Sequence, residues 1–125
     1  MSLTVHVFLV DAGGETRVQD TPEASADLAG FEDWRTRVWG SEAVRSLGAG
    51  FFPVLAETDL HVQPEEVPAF LRECRLLREN LGRIVAETQP VRTVEEHGEA
   101  ISARLAIIED TAGRALTLGG GVLIW

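Results

Sequence analysis

Histidine is the residue type best suited to moving protons or binding metals near neutral pH, and this chain has three. His6 lies in an apolar run near the start, and His61 lies between Leu60 and Val62. If the strands that carry them are neighbours, the two imidazoles could converge with Asp59 as a metal or acid–base site. The alternative is that both histidines fill space on a partly covered sheet face and contact water.

The third histidine, His97, lies in an acidic cluster with Glu95, Glu96 and Glu99. Carboxylates are favourable near the positive N-terminal end of a helix, so this cluster predicts a solvated helix start. A di-iron helix would need Glu where Val94 stands, and no His-Glu-x-x-His pattern occurs. The spacing therefore does not favour a metal site here.

Composition and spacing exclude several other chemistries. All 11 basic residues are Arg and Tyr is absent, which rules out catalysis by a lysine or a tyrosine side chain. Cys74 falls on the apolar stripe of a helix, which predicts a buried, unreactive thiol. The glycines at 48–50 and 119–121 follow helices, whereas phosphate loops precede them, so they are interpreted as helix ends. We therefore expect no catalytic residue and no cofactor.

Three large aromatic residues occur within nine positions, with two arginines between them. On an α-helix Trp34 shares a side with Phe31, whereas Trp39 is rotated away from both. One aromatic could therefore line a pocket or a partner surface, where Trp and Arg are enriched. The alternative is that Trp39 fills the junction between two short helices. The arginines of this segment are Arg35 and Arg37.

The stretch 64–87 would organise the core that positions these residues. Its apolar side chains recur at helical spacing and predict a helix buried on one face. The stripe consists of Val67, Phe70, Leu71, Cys74, Leu77, Leu81, Ile84 and Val85. The opposite face carries Arg72, Glu73, Arg75, Arg78, Glu79 and Arg83, which are expected to face solvent.

Strands are predicted at both ends of the chain and in its middle. The run 3–10 is apolar on both faces, which predicts a strand covered on both sides. Residues 15–19 alternate weakly and predict a short edge strand. Residues 51–56 and 59–63 are expected to form a tight hairpin, and 122–125 a terminal strand.

Two further helical segments complete the pattern. Residues 31–39 and 41–47 predict a short helical pair, with Ser41 as the N-cap of the second. Thr93 and Glu96 fit a capping box at the start of the last long helix. We therefore predict one α+β domain over 1–125, with a mainly antiparallel sheet of four or five strands. Two long antiparallel helices and the short pair pack against that sheet.

Charge and hydropathy limit the possible partners. The formal net charge of −9 argues against nucleic acid, and no apolar run is long enough to cross a membrane. The N-terminal run lacks a preceding positive charge, so we interpret it as a strand rather than a signal peptide. A single cysteine forms no internal disulfide, which favours the cytoplasm. The bias towards Arg over Lys is typical of a G+C-rich, bacterial genome.

Three function classes remain. The first is a small acidic protein that binds a protein partner, for example an immunity-like inhibitor of a basic enzyme. The second is a small-molecule or metal-binding enzyme or ligand binder, with a cleft between sheet and helices. The third is a homo-oligomeric subunit whose terminal strand is the interface, so both monomer and homodimer are open. The first would use Trp34, Trp39, Arg35, Arg37, Glu95 and Glu96, and the second His6, His61 and Asp59.

Overall fold

Five antiparallel strands form the sheet. The computed structural model describes residues 2–18, 28–88 and 93–125. The strands are β1 (Ser2–Val10), β2 (Thr16–Val18), β3 (Leu28–Phe31), β4 (Leu60–Val62) and β5 (Gly121–Ile124). Their order is β2-β1-β5-β4, and β3 also pairs with the start of β1. The predicted α+β class and antiparallel sheet are therefore confirmed.

The two central strands are the first and the last in the chain. Val5 pairs with Ile124 and Val7 with Val122, and all four side chains belong to the buried core. The alternate residues of β1 point to the other side of the sheet. The terminal strand lies between β1 and β4, so it has no free edge through which to pair with another chain.

Four α-helices pack on the core side of the sheet: α1 (Glu42–Arg45), α2 (Val67–Glu79), α3 (Leu81–Glu87) and α4 (Val94–Leu118). Helices α2 and α3 run antiparallel to α4, because Arg78 of α2 contacts Ser102 and Glu109, whereas Thr88, just after α3, contacts His97 near the start of α4. The single predicted helix over 64–87 is divided at Asn80, where φ is −113° and ψ is 21°. The Asn80 side-chain amide donates to the Leu76 carbonyl at 2.9 Å. Asparagine side chains often compete in this way for the backbone groups of a helix, which favours a helix end.

Two predicted caps are present. The hydroxyl of Ser41 accepts a hydrogen bond from the Val44 amide at the start of α1. The Thr93 hydroxyl accepts one from the Glu96 amide at 3.1 Å, which begins α4 where the sequence predicts. Gly119 has a φ of 71° and ends α4 in the left-handed conformation that glycine adopts without strain.

The predicted hairpin over 51–56 and 59–63 is wrong. Phe52–Ala56 forms a 3₁₀ turn, and only Leu60–Val62 becomes a strand, which pairs with β5. Pro53 cannot donate to a strand ladder and stands in the first turn of the 3₁₀ segment instead.

The first part of the chain follows its prediction only in part. The short edge strand predicted at 15–19 is confirmed as Thr16–Val18, and its last residue lies outside the described ranges. Most of the predicted loop over 20–30 also lies outside them, but its end is strand β3. Residues 35–39 form one π-helical turn rather than a regular α-helix. Residues 89–92 of the predicted break between the long helices are not described either.

Candidate functional site

The two tryptophans expected at a partner surface lie in the core. Trp39 is fully buried, and its indole N–H donates to the carbonyl oxygen of Ala29 at 2.8 Å. Its ring lies 5.7 Å from that of Trp34 and 5.0 Å from that of Phe52, centroid to centroid. Trp34 is only 7% exposed. Neither indole therefore offers a surface to a partner. The buried position of Trp39 fits the alternative expectation, in which it fills the junction between two short helices.

A π-helical turn explains the discrepancy. Residues five apart lie about 140° apart around an α-helix, which placed Trp34 and Trp39 on different faces. A π-helix is hydrogen-bonded from i to i+5, so such residues lie roughly above one another. The turn Arg35–Trp39 thus directs both indoles into the same core.

Arg35 joins its own segment to the stretch 55–59. Its guanidinium donates to Asp59 and Glu32, both at 2.7 Å. It also donates to the carbonyl oxygens of Leu55 and Thr58 at 3.3 and 3.0 Å. Asp59 is therefore engaged with Arg35, and Arg35 serves the fold rather than an exposed surface.

The other polar residues expected at the partner surface are exposed. Arg37 pairs with Asp33 at 2.9 Å, four residues earlier in the chain. Glu95 and Glu96 lie exposed in the first turn of α4, as their cluster predicts. These three side chains do not form a continuous surface with Trp34 and Trp39, because the indoles point inward.

His97 is partly buried rather than fully solvated. Its Nε2 lies 2.7 Å from the Thr88 hydroxyl, which itself donates to the Ile84 carbonyl. Because that hydroxyl proton is already used, Nε2 of His97 is the donor in this hydrogen bond. Burial, and secondarily the charge of Arg37, lower the pKa of His97 below its ordinary value of 6.5. This histidine links the end of α3 to the start of α4.

A buried carboxylate, Glu73, was missed by the sequence pattern, which placed it on the solvent face. It is 8% exposed and accepts hydrogen bonds from the amides of Gly50, Phe51 and Phe52 at 2.6 to 3.1 Å. These amides form an anion-binding nest at the start of the 3₁₀ turn. The neighbouring Cys74 is fully buried, and burial raises the pKa of its thiol, as expected for an unreactive cysteine.

His6 and His61 share one face of the sheet but do not form a joint site. Both pair with Leu123 of β5, from opposite sides, so one strand separates them. The Trp125 indole donates to Nδ1 of His6 at 3.1 Å, whereas the His61 ring contacts Phe8, with 6.5 Å between centroids. The two imidazoles therefore lean in opposite directions along the sheet. In the described part of the chain, no three His, Cys, Asp or Glu side chains could hold a metal together.

These histidines belong to a distinctive surface, which we call the outer face. It consists of the strand side chains that point away from the helices: Thr4, His6, Phe8, Val10, Thr16, Val18, His61, Leu123 and Trp125. The large buried apolar side chains of the helices belong to the core on the opposite side. Val10, Val18 and Trp125 are 48, 40 and 46% exposed, whereas Phe8 and Leu123 are buried, at 2 and 6% exposed. The cover expected on both sides of β1 is therefore present at Phe8 and absent at Val10.

The outer face carries no Asp, Glu or Arg within the described strands. An antiparallel sheet with one face in water normally alternates apolar and charged or polar side chains. Here the second face carries aromatic, aliphatic and imidazole side chains and two threonines, Thr4 and Thr16, instead. The sequence signal was present in Phe8 and Val10, the apolar even-numbered positions of β1, although only the pairing with the C-terminal strand shows that Leu123 and Trp125 join them.

A cleft of about 690 Å³ lies between α1 and α3. Its cations are already engaged, because Arg83 contacts Glu87 and Ser46, and Arg37 contacts Asp33. Glu42 and Glu87 balance the two guanidiniums on its walls. The cleft therefore has no charge preference that would identify a ligand.

Comparison with protein-family models, with curated proteins and with solved structures gave no match. None of the helices in the described ranges is long and apolar enough to cross a membrane. Any functional assignment therefore depends on the chemistry of the surfaces themselves.

Proposed function

We propose that this is a cytoplasmic protein that acts by binding another protein, and that its outer face is the binding surface. The observation that carries this proposal is a sheet face that carries no charged side chain in the described strands and exposes Val10, Val18 and Trp125, in a chain that is 25% charged. Exposed apolar surfaces rimmed by polar residues mark protein interaction sites. The enrichment in aromatic side chains and the depletion of charge are typical of interface centres.

The composition of the outer face favours an anchor at Trp125. Its indole is about half exposed, and its N–H is held by His6. An aromatic ring fixed in place before binding loses little conformational freedom when a partner covers it, which is typical of binding hot spots. A partner of complementary chemistry would present an uncharged, apolar surface.

The enzyme alternative has less support. His6 and His61 lean apart, and Asp59 is engaged by Arg35. Acid–base chemistry needs its groups within hydrogen-bond reach of a common substrate atom, and this arrangement does not gather them.

Photo-crosslinking in the cells that express the chain natively tests the proposal. The photoreactive residue p-benzoylphenylalanine replaces Trp125 in one variant and Leu118 in a control. Leu118 is 55% exposed on α4, so it is at least as accessible but belongs to the helical layer. We expect a discrete adduct from position 125 and none of that mass from position 118. Adducts from neither position, or the same adducts from both, would contradict the proposal.

A further inference from the structure

Strand β4 is the last strand at its end of the sheet, so only one of its two edges is paired. The pairing of β5 with β1 shows which way the backbone groups of β5 point. Thr4 and Trp125 exchange both of their backbone hydrogen bonds, at 2.9 and 3.0 Å. Because this direction alternates along an antiparallel strand, Leu123 also points towards β1, whereas Val122 and Ile124 point towards β4.

The same register decides which residue of β4 faces outward. The two flanking residues, Leu60 and Val62, direct their backbone N–H and C=O groups towards β5. His61 lies between them, so its own N–H and C=O point away from the sheet. The burial pattern agrees, since Leu60 and Val62 are buried and His61 is exposed. Within the described ranges, neither of these two groups of His61 has a hydrogen-bond partner.

The open edge of β4 fits an extended chain. A strand placed beside it can accept from the N–H of His61 and donate to its C=O, which is the strand-addition mode of peptide recognition. Proteins commonly protect such edges with charged side chains or proline on the strand itself. Strand β2, at the other end of the sheet, has Arg17 at its centre, whereas β4 contains no Arg, Asp, Glu or proline. The edge of β4 is therefore left open to another chain.

Acidic side chains on both sides of β4 select the sequence of that chain. Two backbone hydrogen bonds hold a peptide only weakly, so the flanking side chains decide which peptide binds. Glu57 and Glu65 lie four residues before and after His61, and both are exposed. No basic residue occurs between 57 and 66. Four residues span at most about 14 Å, so both carboxylates lie near the ends of a short strand bound at His61. Basic residues at the ends of that strand would complement them.

The same carboxylates disfavour a second copy of this chain. If β4 paired with β4 of another copy around His61, Glu57 of one copy would approach Glu65 of the other, because each lies four residues from the centre. The two-fold symmetry would repeat this contact. Like charges on opposite strands destabilise their pairing, and the formal net charge of −9 acts in the same direction. The edge therefore favours a basic strand over its own copy.

We propose that the open edge of β4 binds an extended, basic segment of another protein, which joins the sheet as a further strand. This goes beyond the proposed function, because it concerns the edge of the sheet rather than its outer face. The segment bound here is also basic, whereas the outer face fits an uncharged, apolar surface. A basic partner, as the first function class expects, would reach the protein at this edge.

A synthetic peptide with blocked ends, Lys-Val-Thr-Val-Thr-Val-Thr-Val-Lys, tests this proposal on the full chain. Its two lysines have the same separation in sequence as Glu57 and Glu65. We expect calorimetric titration to show binding, and no detectable binding of the same peptide with Glu in place of both lysines. Amide hydrogen exchange gives the local readout. Exchange at His61 should slow in the complex, because its N–H gains an acceptor, whereas Leu60 and Val62 are already paired and should change little.

Two matched double variants test the charges. Glu57→Gln with Glu65→Gln removes both carboxylates beside the edge. Glu79→Gln with Glu99→Gln removes two exposed carboxylates from α2 and α4, so the net charge changes equally. The first pair should raise the Kd of the lysine peptide by about three- to tenfold, and the second should leave it little changed. Circular dichroism spectra that match the wild type establish that the fold is intact.

Several results would overturn the proposal. They are the absence of binding by the lysine peptide, equal weakening by both double variants, and unchanged exchange at His61 in the complex. Slower exchange at His61 with rising protein concentration and no peptide would identify a second copy as the occupant instead. The proposed function is tested separately. A discrete adduct from position 125 without peptide binding leaves the outer face as the binding surface, and peptide binding without an adduct leaves only the edge.

Discussion

Replacement of Glu73 tests the most specific long-range contact in the fold. Its carboxylate accepts hydrogen bonds from the amides of three consecutive residues, Gly50, Phe51 and Phe52. Glu73→Ala would leave these donors without an acceptor. The Gly50 position is exposed, so water can replace the carboxylate there, whereas Phe51 is half-buried and Phe52 is fully buried.

The expected magnitude follows from those two sheltered amides. A buried donor left unsatisfied costs roughly 1–3 kcal/mol, so the two together cost about 2–6 kcal/mol. We therefore expect Glu73→Ala to lower the free energy of unfolding by about 3–5 kcal/mol, a large part of the roughly 5–15 kcal/mol typical of a domain. Glu73→Gln keeps one acceptor oxygen but loses the charge and turns an amide donor towards the nest. It should cost roughly half as much.

Urea unfolding followed by tryptophan fluorescence measures these differences. Glu79→Ala, on the exposed side of the same helix, is the matched control and should change the free energy of unfolding by less than about 0.5 kcal/mol. Amide hydrogen exchange at Phe51 and Phe52 gives a local readout and should accelerate in Glu73→Gln. Equal stabilities of Glu73→Ala and Glu79→Ala, or unchanged exchange at these amides, would show that the hydrogen bonds to Glu73 do not stabilise the fold.

Three further outcomes follow from contacts described above. Trp39→Phe keeps most of the packing but removes the donor to the buried Ala29 carbonyl, so it should cost about 1–3 kcal/mol in urea unfolding. Trp125→Phe, on the exposed surface, should cost less than about 0.5 kcal/mol. Equal losses of stability in the two variants would contradict the assignment of Trp39 to the core and Trp125 to the surface. The lowered pKa of His97 means that the unfolded chain binds its proton more readily than the folded one. The contribution of His97 to stability should therefore fall as the pH drops below 6.5 and become constant below the folded pKa, and His97→Gln should reduce that fall. A pH profile of unfolding that is identical in both proteins would show that this histidine is not involved. Deletion of residues 122–125 removes a central strand and should abolish the folded circular dichroism signal, whereas a folded deletion variant would be incompatible with the position of β5.

The sequence predicted the helices, caps and helix ends that depend on interactions between neighbouring residues. The apolar stripe of 64–87 anticipated the buried side of α2 and α3, because helical periodicity and burial are directly linked. The caps at Ser41 and Thr93 also depend only on neighbouring residues. The same is true of the helix end at Gly119.

The errors concern contacts between distant segments. Glu73 resembles any polar residue at the edge of a helical stripe, and the amides that bind it, 21 to 23 residues away, have no sequence signature. The inward position of Trp39 depends on a π-helical turn, which residue periodicity does not reveal. The outer face required the register of β1 and β5, because only the pairing of His6 with Leu123 brings its members together.

The pairing of β1 with β5 also has a consequence for how the chain folds. Val5 must find Ile124, so the central ladder of the sheet closes a loop of nearly the whole chain. Contacts of such long sequence separation carry a high entropic cost before they form, and they slow folding. During synthesis on the ribosome, β1 can pair early with β2 and β3, but its other edge stays unpaired until the chain reaches residue 124. The nascent chain is therefore expected to depend on early packing of its helices, or on chaperones, until the central ladder can form.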